Sequence, residues 1–207
     1  MWVLTLLLFS VTAAGANEPP DFFRRLNLEL GVHVAFLPGF ELASGGAFPL
    51  SAGYFVFDLP TGEDSFGTVN VRGIYEPGFA VAYNLDGATQ QGAAITLFSS
   101  IRAGVDYFQV FTQPFNIAVF GGLSFGRYSV DGQGVTEDPD GEPEYIEVDG
   151  QYFGFSPRVG VHIPALDWFS RLFVTYHIIP VDDDELNPSY VSIGGAVSLF
   201  GNLLTGR

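Results

Sequence analysis

The sequence contains no cysteine and no lysine, and its single methionine is the first residue. Without cysteine, thiolate catalysis, thiolate metal sites and disulfide staples are all excluded, so an exported chain of this length must be held by a core, a metal or a membrane. Positive charge is equally scarce: eight basic residues, all arginine, stand against 23 acidic ones, for a formal net charge of -15. Such a surface repels phosphate backbones, which argues against nucleic acid as a partner. Beyond the first 16 residues no apolar run approaches the roughly 20 residues of a spanning helix, because Gly, Pro, Asn or a charge interrupts each one. No bundle of inner-membrane helices is encoded.

What is present is apolar. Hydrophobic residues make up 47% of the 207, and mean hydropathy is +0.27 alongside the strong acidity. The two properties must be segregated in space. The length fits one domain with a substantial buried surface. Residues 2–16, WVLTLLLFSVTAAGA, are uncharged and end in Ala14-Gly15-Ala16, the small-x-small pattern of signal-peptidase sites. The expectation is a signal peptide over 1–16, with a mature chain from near Asn17. An anchoring helix is the competing reading, but the run is short for spanning.

Period-two alternation recurs through the rest and predicts strands. In LNLELGVHVAFLP, residues 26–38, apolar positions from Leu26 to Phe36 alternate with Asn27, Glu29, Gly31, His33 and Ala35. Similar runs start at Phe66, Phe79, Ile101, Phe115, Phe153, Leu172 and Val191, giving about eight strands, a number at which a sheet closes around its own side chains. Glu76-Pro77-Gly78, Thr112-Gln113-Pro114 and the stretch after Pro164 read as tight turns. The intervening connections, 38–65, 86–94, 130–146 and 181–189, read as long. SAGYFVFDL (51–59) lies in the first of these, as an extra hairpin arm or an additional strand.

Short and long connections in alternation are the pattern of outer-membrane barrels. Acidic residues fall in the long connections: Glu63 and Asp64; Glu137, Asp138, Asp140, Glu142 and Glu144; Asp182 to Glu185. Aromatic residues flank the turns, as Tyr75 and Phe79, Phe111 and Phe115, Trp168 and Phe169, with Phe200 closing the last strand. Rings at one level are what a membrane interface selects.

The second face decides between a soluble barrel with an apolar interior and a membrane barrel with an apolar exterior. Here it is mainly Gly, Ala, Ser and Asn, with single charges, and small residues suit a narrow lumen. Its charged and imidazole members are Glu29, His33, Arg72, Arg102, Asp106, Arg158, His162 and His177. Buried charges need partners, so these eight are expected to form a polar network in the lumen. Glu29 should face inward, paired with Arg72, Arg102 or Arg158.

The signal-like start, the alternating strands, GGLSFGRY at 121–128 and SYVSIGGAVSLF, which ends in Phe200, together resemble the small outer-membrane β-barrels of the OmpA/OmpX/OmpW type. The resemblance implies an all-β fold, an eight-stranded antiparallel transmembrane up-and-down β-barrel over 26–207, preceded by a periplasmic segment at 17–25. It also implies a bacterial outer-membrane location, contact with outer-membrane lipids and lipopolysaccharide, and an assembly signal at Phe200 read by the outer-membrane assembly machinery, although GNLLTGR follows it. A monomer is expected.

Chemistry is weakly encoded. No His-x-Ser pattern accompanies the three histidines, which weighs against a lipid A-modifying enzyme, since a serine nucleophile needs an adjacent base. Their spacing does not suit a metal site either. Asp138-Pro139-Asp140-Gly141 lacks the helix-loop-helix calcium pattern, so weak divalent cations at the loops are the most it supports. Neither cofactor nor catalytic residue is expected. The first reading is a non-enzymatic structural or surface-interaction barrel; a narrow pore for solutes or ions and a soluble lipocalin-like carrier remain as alternatives.

Overall fold

Period-two alternation is realised as one antiparallel sheet that closes on itself. The computed structural model describes residues 25–37, 43–83, 93–114, 116–137, 143–163, 170–181 and 188–198. The signal-like segment, Trp168, Phe169 and Phe200 lie outside them. The strands are β1 (Leu26–Leu37), β2 (Ala43–Ala47), β3 (Leu50–Gly62), β4 (Ser65–Tyr83), β5 (Ala93–Phe111), β6 (Ile117–Glu137), β7 (Pro143–His162), β8 (Arg171–His177) and β9 (Tyr190–Ser198). From β3 onward each strand pairs with its successor, and β1 pairs with β9 over Glu29–Phe36 to close the ring.

Nine strands make eight staves. β1 pairs with β2 through His33–Leu37 and with β3 through Leu26–Leu30, while β4 pairs with both. Register is continuous across the junction, with Ala47 opposite Gly78 and Leu50 opposite Tyr75. The interruption is chemical: Pro49 and Pro77 have no N–H to give to the ladder. Two bonds still hold the junction, from the Gly31 N–H to the Pro49 carbonyl at 2.8 Å and from the Phe48 N–H to the Pro77 carbonyl at 2.9 Å. The all-β, eight-stranded antiparallel up-and-down barrel expected from the alternation is thus observed.

Its connectivity differs from that expectation in four respects. Glu76-Pro77-Gly78 is no turn: β4 runs through it, and the two runs read on either side are one strand. Residues 51–59 form the additional strand, as part of β3, and not a hairpin arm, so the first long connection is mostly barrel wall. Glu63 and Asp64 form the β3–β4 turn at the end where β1 begins and β9 finishes, opposite the other acidic connections. Tyr75 and Phe79 consequently lie along the outer wall rather than beside a turn. The β6–β7 hairpin closes over 138–142, no longer than the 112–116 connection at the near end, so strict short–long alternation does not hold.

The faces separate cleanly. In β1, Leu30, Val32, Val34 and Phe36 are exposed while Asn27, Glu29, His33 and Ala35 are buried. The same parity runs through β4, where Thr68, Asn70, Arg72, Ile74, Glu76 and Ala80 point inward and Val71, Tyr75 and Phe79 outward. Two apolar clusters fill the ends of the lumen. The near cluster contains Phe55, Phe108, Val110, Phe120 and Phe173. The far cluster contains Leu37, Phe98, Tyr128, Val130, Ile179 and Tyr190. An eight-stranded ring encloses only enough room for side chains, and these rings occupy it.

Glycine supplies the missing volume where polar groups must fit. A Cβ on Gly122 would collide with Asp106 Oδ1 and lie 2.6 Å from the Val105 carbonyl oxygen, whereas a Cβ on Gly121, on the outer face, would meet only the Arg158 carbonyl oxygen at 3.8 Å. Overpacking a filled core costs about 1–3 kcal/mol. Gly122→Ala should lower the thermal unfolding midpoint, followed by circular dichroism, while Gly121→Ala should leave it nearly unchanged; equal effects of the two would contradict this packing.

Candidate functional site: a buried ionic network in the lumen

Between the two apolar clusters, inward positions of eight strands, all but β2, bring charged and polar side chains together. Asp106 of β5 is the centre of the first group. Arg72 of β4 donates to it through Nε at 2.6 Å and Nη2 at 3.2 Å, and Arg158 of β7 through Nε at 2.9 Å and Nη2 at 2.6 Å. One carboxylate thus receives two forked guanidiniums, the geometry in which charge-assisted bonds are strongest. Arg158 Nη1 also reaches Glu29 Oε2 at 3.4 Å, and Arg171 of β8 pairs with Glu29 Oε1. Ser51 donates to the same carboxylate at 3.1 Å.

Glu76 is the centre of the second group. Arg102 Nη2 donates to Oε2 at 2.7 Å and the Tyr190 hydroxyl to Oε1 at 2.9 Å, with His177 Nε2 3.5 Å away. Arg102 also donates to Ser100 and Ser124, at 3.0 and 3.4 Å. A chain of hydroxyls and imidazoles continues across the lumen: Ser156 Oγ lies 3.1 Å from His177 Nδ1, Ser192 Oγ 3.1 Å from His177 Nε2, and Ser192 Oγ 3.3 Å from His33 Nδ1. Aromatic faces complete the lining. Arg158 sits 5.0 Å from the Phe120 ring centre and 4.9 Å from Phe173, Arg171 sits 5.2 Å from Phe108, and His177 stacks on Tyr190 at 3.9 Å. Each cation–π contact contributes on the order of 0.5–2 kcal/mol, so the rings that close the lumen also hold its cations.

All eight lumen residues read from the alternation are buried inside the barrel. Six of them join the two charge groups, namely Glu29, Arg72, Arg102, Asp106, Arg158 and His177. His33 attaches through Ser192, and His162 stands apart, opposite Arg171 in the ladder. Of the three arginines considered for Glu29, Arg158 is the one that contacts it; Arg72 goes to Asp106 and Arg102 to Glu76. Two charges escaped the sequence reading. Glu76 was hidden in the supposed turn, although it continues the even-numbered inward series from Thr68 to Ile74. Arg171 precedes the first apolar residue of β8, yet continues the odd-numbered series Phe173, Thr175 and His177.

Ser156, His177 and Glu76 reproduce the contact order of a nucleophile, base and acid. They have no room to act as one. Ser156 and His177 are fully buried, the Tyr128 hydroxyl occupies Ser156 Oγ, and Arg102 Nη1 approaches His177 Nδ1 to 3.4 Å. A small cavity of about 10 Å³ adjoins the network, but neither Ser156 nor His177 lines it. Among the described residues, no group of three or more His, Asp or Glu side chains is placed to hold a metal ion. The acidic stretch around Asp138, Asp140 and Glu142 lies outside the described residues. No family profile matches the chain, and no curated protein matches its sequence.

Removing one partner from a buried ion pair costs about 3–5 kcal/mol, whereas replacing a whole pair with apolar groups of similar volume is often neutral. Asp106→Ala, which strands two guanidiniums, should therefore lose about that much in a reversible urea unfolding series. Arg72→Met combined with Asp106→Asn, which keeps a neutral acceptor for Arg158, should lose less than Asp106→Ala alone; a larger loss would argue against the clamp.

Proposed function

We propose that the chain is an outer-membrane β-barrel of the small OmpA/OmpX/OmpW-like type, non-enzymatic and closed to solutes, serving as a structural or surface-interaction element. The observation that carries this reading is the inversion of polarity across the wall. Buried ions lie inside, and large apolar side chains lie outside on every stave, with Ile101 69% exposed, Val159 64% and Phe153 72%. Continuous apolar surface of this extent belongs against another apolar phase. A closed sheet is one of the two structures that satisfy every backbone group in hydrocarbon.

The dimensions agree. Outward positions of β6 are free of polar side chains over the nine residues from Ile117 to Phe125, and those of β7 over the nine from Phe153 to Val161, which matches the ~9–11 residues of a tilted spanning strand. Above that level the outward series turns polar, with Arg127, Ser129 and Asp131 on β6 and Gln151 and Asp149 on β7. The β6–β7 ladder continues past it, from Gly132 opposite Val148 to Glu137 opposite Pro143, with no pairing to β5 or β8 among the described residues. This ribbon and the acidic connections of the same end would stand outside the membrane, free for partners and for weak divalent bridging to lipopolysaccharide. In that orientation the β3–β4 and β5–β6 connections and the amino end of the barrel face the periplasm.

The alternatives fare worse on particular observations. A lipocalin-like carrier needs an apolar cavity, and this interior holds ions around about 10 Å³ of space. A pore is opposed by Phe55, Phe108, Phe120 and Phe173 at one end and Phe98, Tyr128 and Tyr190 at the other. An enzyme acting on lipid A would need its histidines on the lipid side, and all three are buried.

Expressed from Met1, the protein should fractionate with detergent-extracted outer membrane and run on gels as a compact form that shifts on heating; recovery from the soluble periplasm would overturn the reading. Arginine near the centre of a lipid-facing strand costs about 2–4 kcal/mol. Val105→Arg should therefore reduce the compact form, while Gln151→Arg, above the belt, should not. Planar bilayers containing the protein should show no discrete conductance steps across a range of salt; reproducible steps would restore the pore.

A further inference from the structure

The lumen does not balance its charge. Among the described residues, Glu29, Glu76 and Asp106 are the buried carboxylates, and Arg72, Arg102, Arg158 and Arg171 are the buried guanidiniums. With neutral histidines the interior carries one excess positive charge. The carboxylate oxygens are already engaged, those of Glu29 by Asn27, Ser51, Arg158 and Arg171, those of Glu76 by Arg102, Tyr190 and His177, and both of Asp106 by Arg72 and Arg158. No further neutralisation is available from them.

Three of the four guanidiniums face a small cavity beside the network. The cavity is walled by Arg72, Arg102, Arg158, Glu29, Glu76 and His33, together with Pro49, Ser51, Phe173 and other small groups, and has a volume of about 10 Å³. Its charged wall holds three guanidiniums against two carboxylates, with Asp106 behind Arg72 and Arg158 as their shared partner. An independent observation points into it: His33 is 2% exposed, its Nδ1 is taken by Ser192, and its Nε2 has no hydrogen-bond partner. Arg102 Nη1 can only donate to His177 Nδ1, so His177 Nε2 carries the proton toward Ser192; Ser192 then donates to His33 Nδ1, and His33 Nε2 bears the proton as a donor without an acceptor.

We propose that this cavity binds one small monovalent anion of the halide class. Water would satisfy His33 Nε2 but leave the charge unbalanced in a water-poor interior, where an uncompensated ion is costly. A cation is opposed by three guanidiniums. Phosphate, sulfate and carboxylate ligands are too large for a space near the size of one water molecule, whereas a single-atom anion needs only small adjustments of the arginine side chains. The ion then serves as a structural counter-charge, linking the Asp106 group to the Glu76 group. The inference depends on the interior alone and not on what lies outside the barrel.

The test uses the full barrel refolded separately in sodium chloride, sodium bromide and sodium gluconate at equal ionic strength, because apolar clusters close the lumen at both ends. Crystals grown from the bromide preparation should show an anomalous difference peak between His33, Arg72, Arg102 and Arg158; solvent density without anomalous signal there would overturn the proposal. In solution, the wild-type unfolding temperature should rise with halide concentration as for one bound ion and be lower in gluconate. Arg72→Met, which removes the surplus charge, should abolish that dependence. Equal unfolding temperatures in halide and gluconate for the wild type, or undiminished halide dependence in the variant, would refute it. The crystallographic measurement on the wild type decides the matter if Arg72→Met does not fold.

Discussion

The four hydrogen bonds that Asp106 accepts from Arg72 and Arg158 tie three staves together across the lumen, and most of the interior follows from them. A charge in this position cannot be left alone, since the desolvation it suffers is recovered only by close, forked partners. Arg158 is therefore pinned between Asp106 and Glu29, and Glu29 in turn engages Arg171, so the clamp extends from β5 through β4 and β7 to β1 and β8. Because side chains alternate, each of these contacts also fixes the facing of a whole strand. A slip of one residue would move its charge to the outer wall and an apolar residue into the network. The ionic contacts act as a register device as much as a source of stability.

The apolar clusters above and below give that device its setting. Phe120 and Phe173 lie under Arg158, Phe108 lies under Arg171, and Tyr190 stacks on His177 while donating its hydroxyl to Glu76. By excluding water they strengthen every contact between them and raise the cost of any contact left unmade. The same rings make the barrel a packed body. A polar interior is often read as a passage, yet here polarity is confined to a middle layer with aromatic closures on either side.

How much of this was legible in the sequence depends on the range of the signal. Period-two alternation is local, and it identified the inward set from Glu29 to His177 because every stave obeys it. Strand boundaries were less legible. Pro77-Gly78 has the composition of a turn, but its neighbour across the ladder is the Phe48–Pro49 step, so two residues lacking donors meet at one place and the sheet passes through. That compensation is between strands distant in sequence, and no local rule contains it. The stave formed by β2 and β3 was legible only as one of two readings of residues 51–59 for the same reason, and fusing two other runs into β4 restored the count of eight. Glu76 disappeared into the false turn. The layering of Phe108, Phe120 and Phe173 also required the pairing register, since alternation gives facing but not height.

Charge is distributed with the same economy. Half of the eight arginines lie in the lumen, where they exceed the carboxylates by one, which leaves the remainder of the chain at a formal charge of -16. Among the described residues only Arg25 and Arg127 are cations outside the lumen, so the chain apart from its interior is strongly acidic by formal charge. The interior surplus and the exterior deficit thus follow from a single allocation: arginine is placed where its forked donors can lock carboxylates between strands. Surfaces with few cations to offset their carboxylates repel like surfaces on other copies of the chain, so the same allocation that locks the interior disfavours contact between its acidic segments.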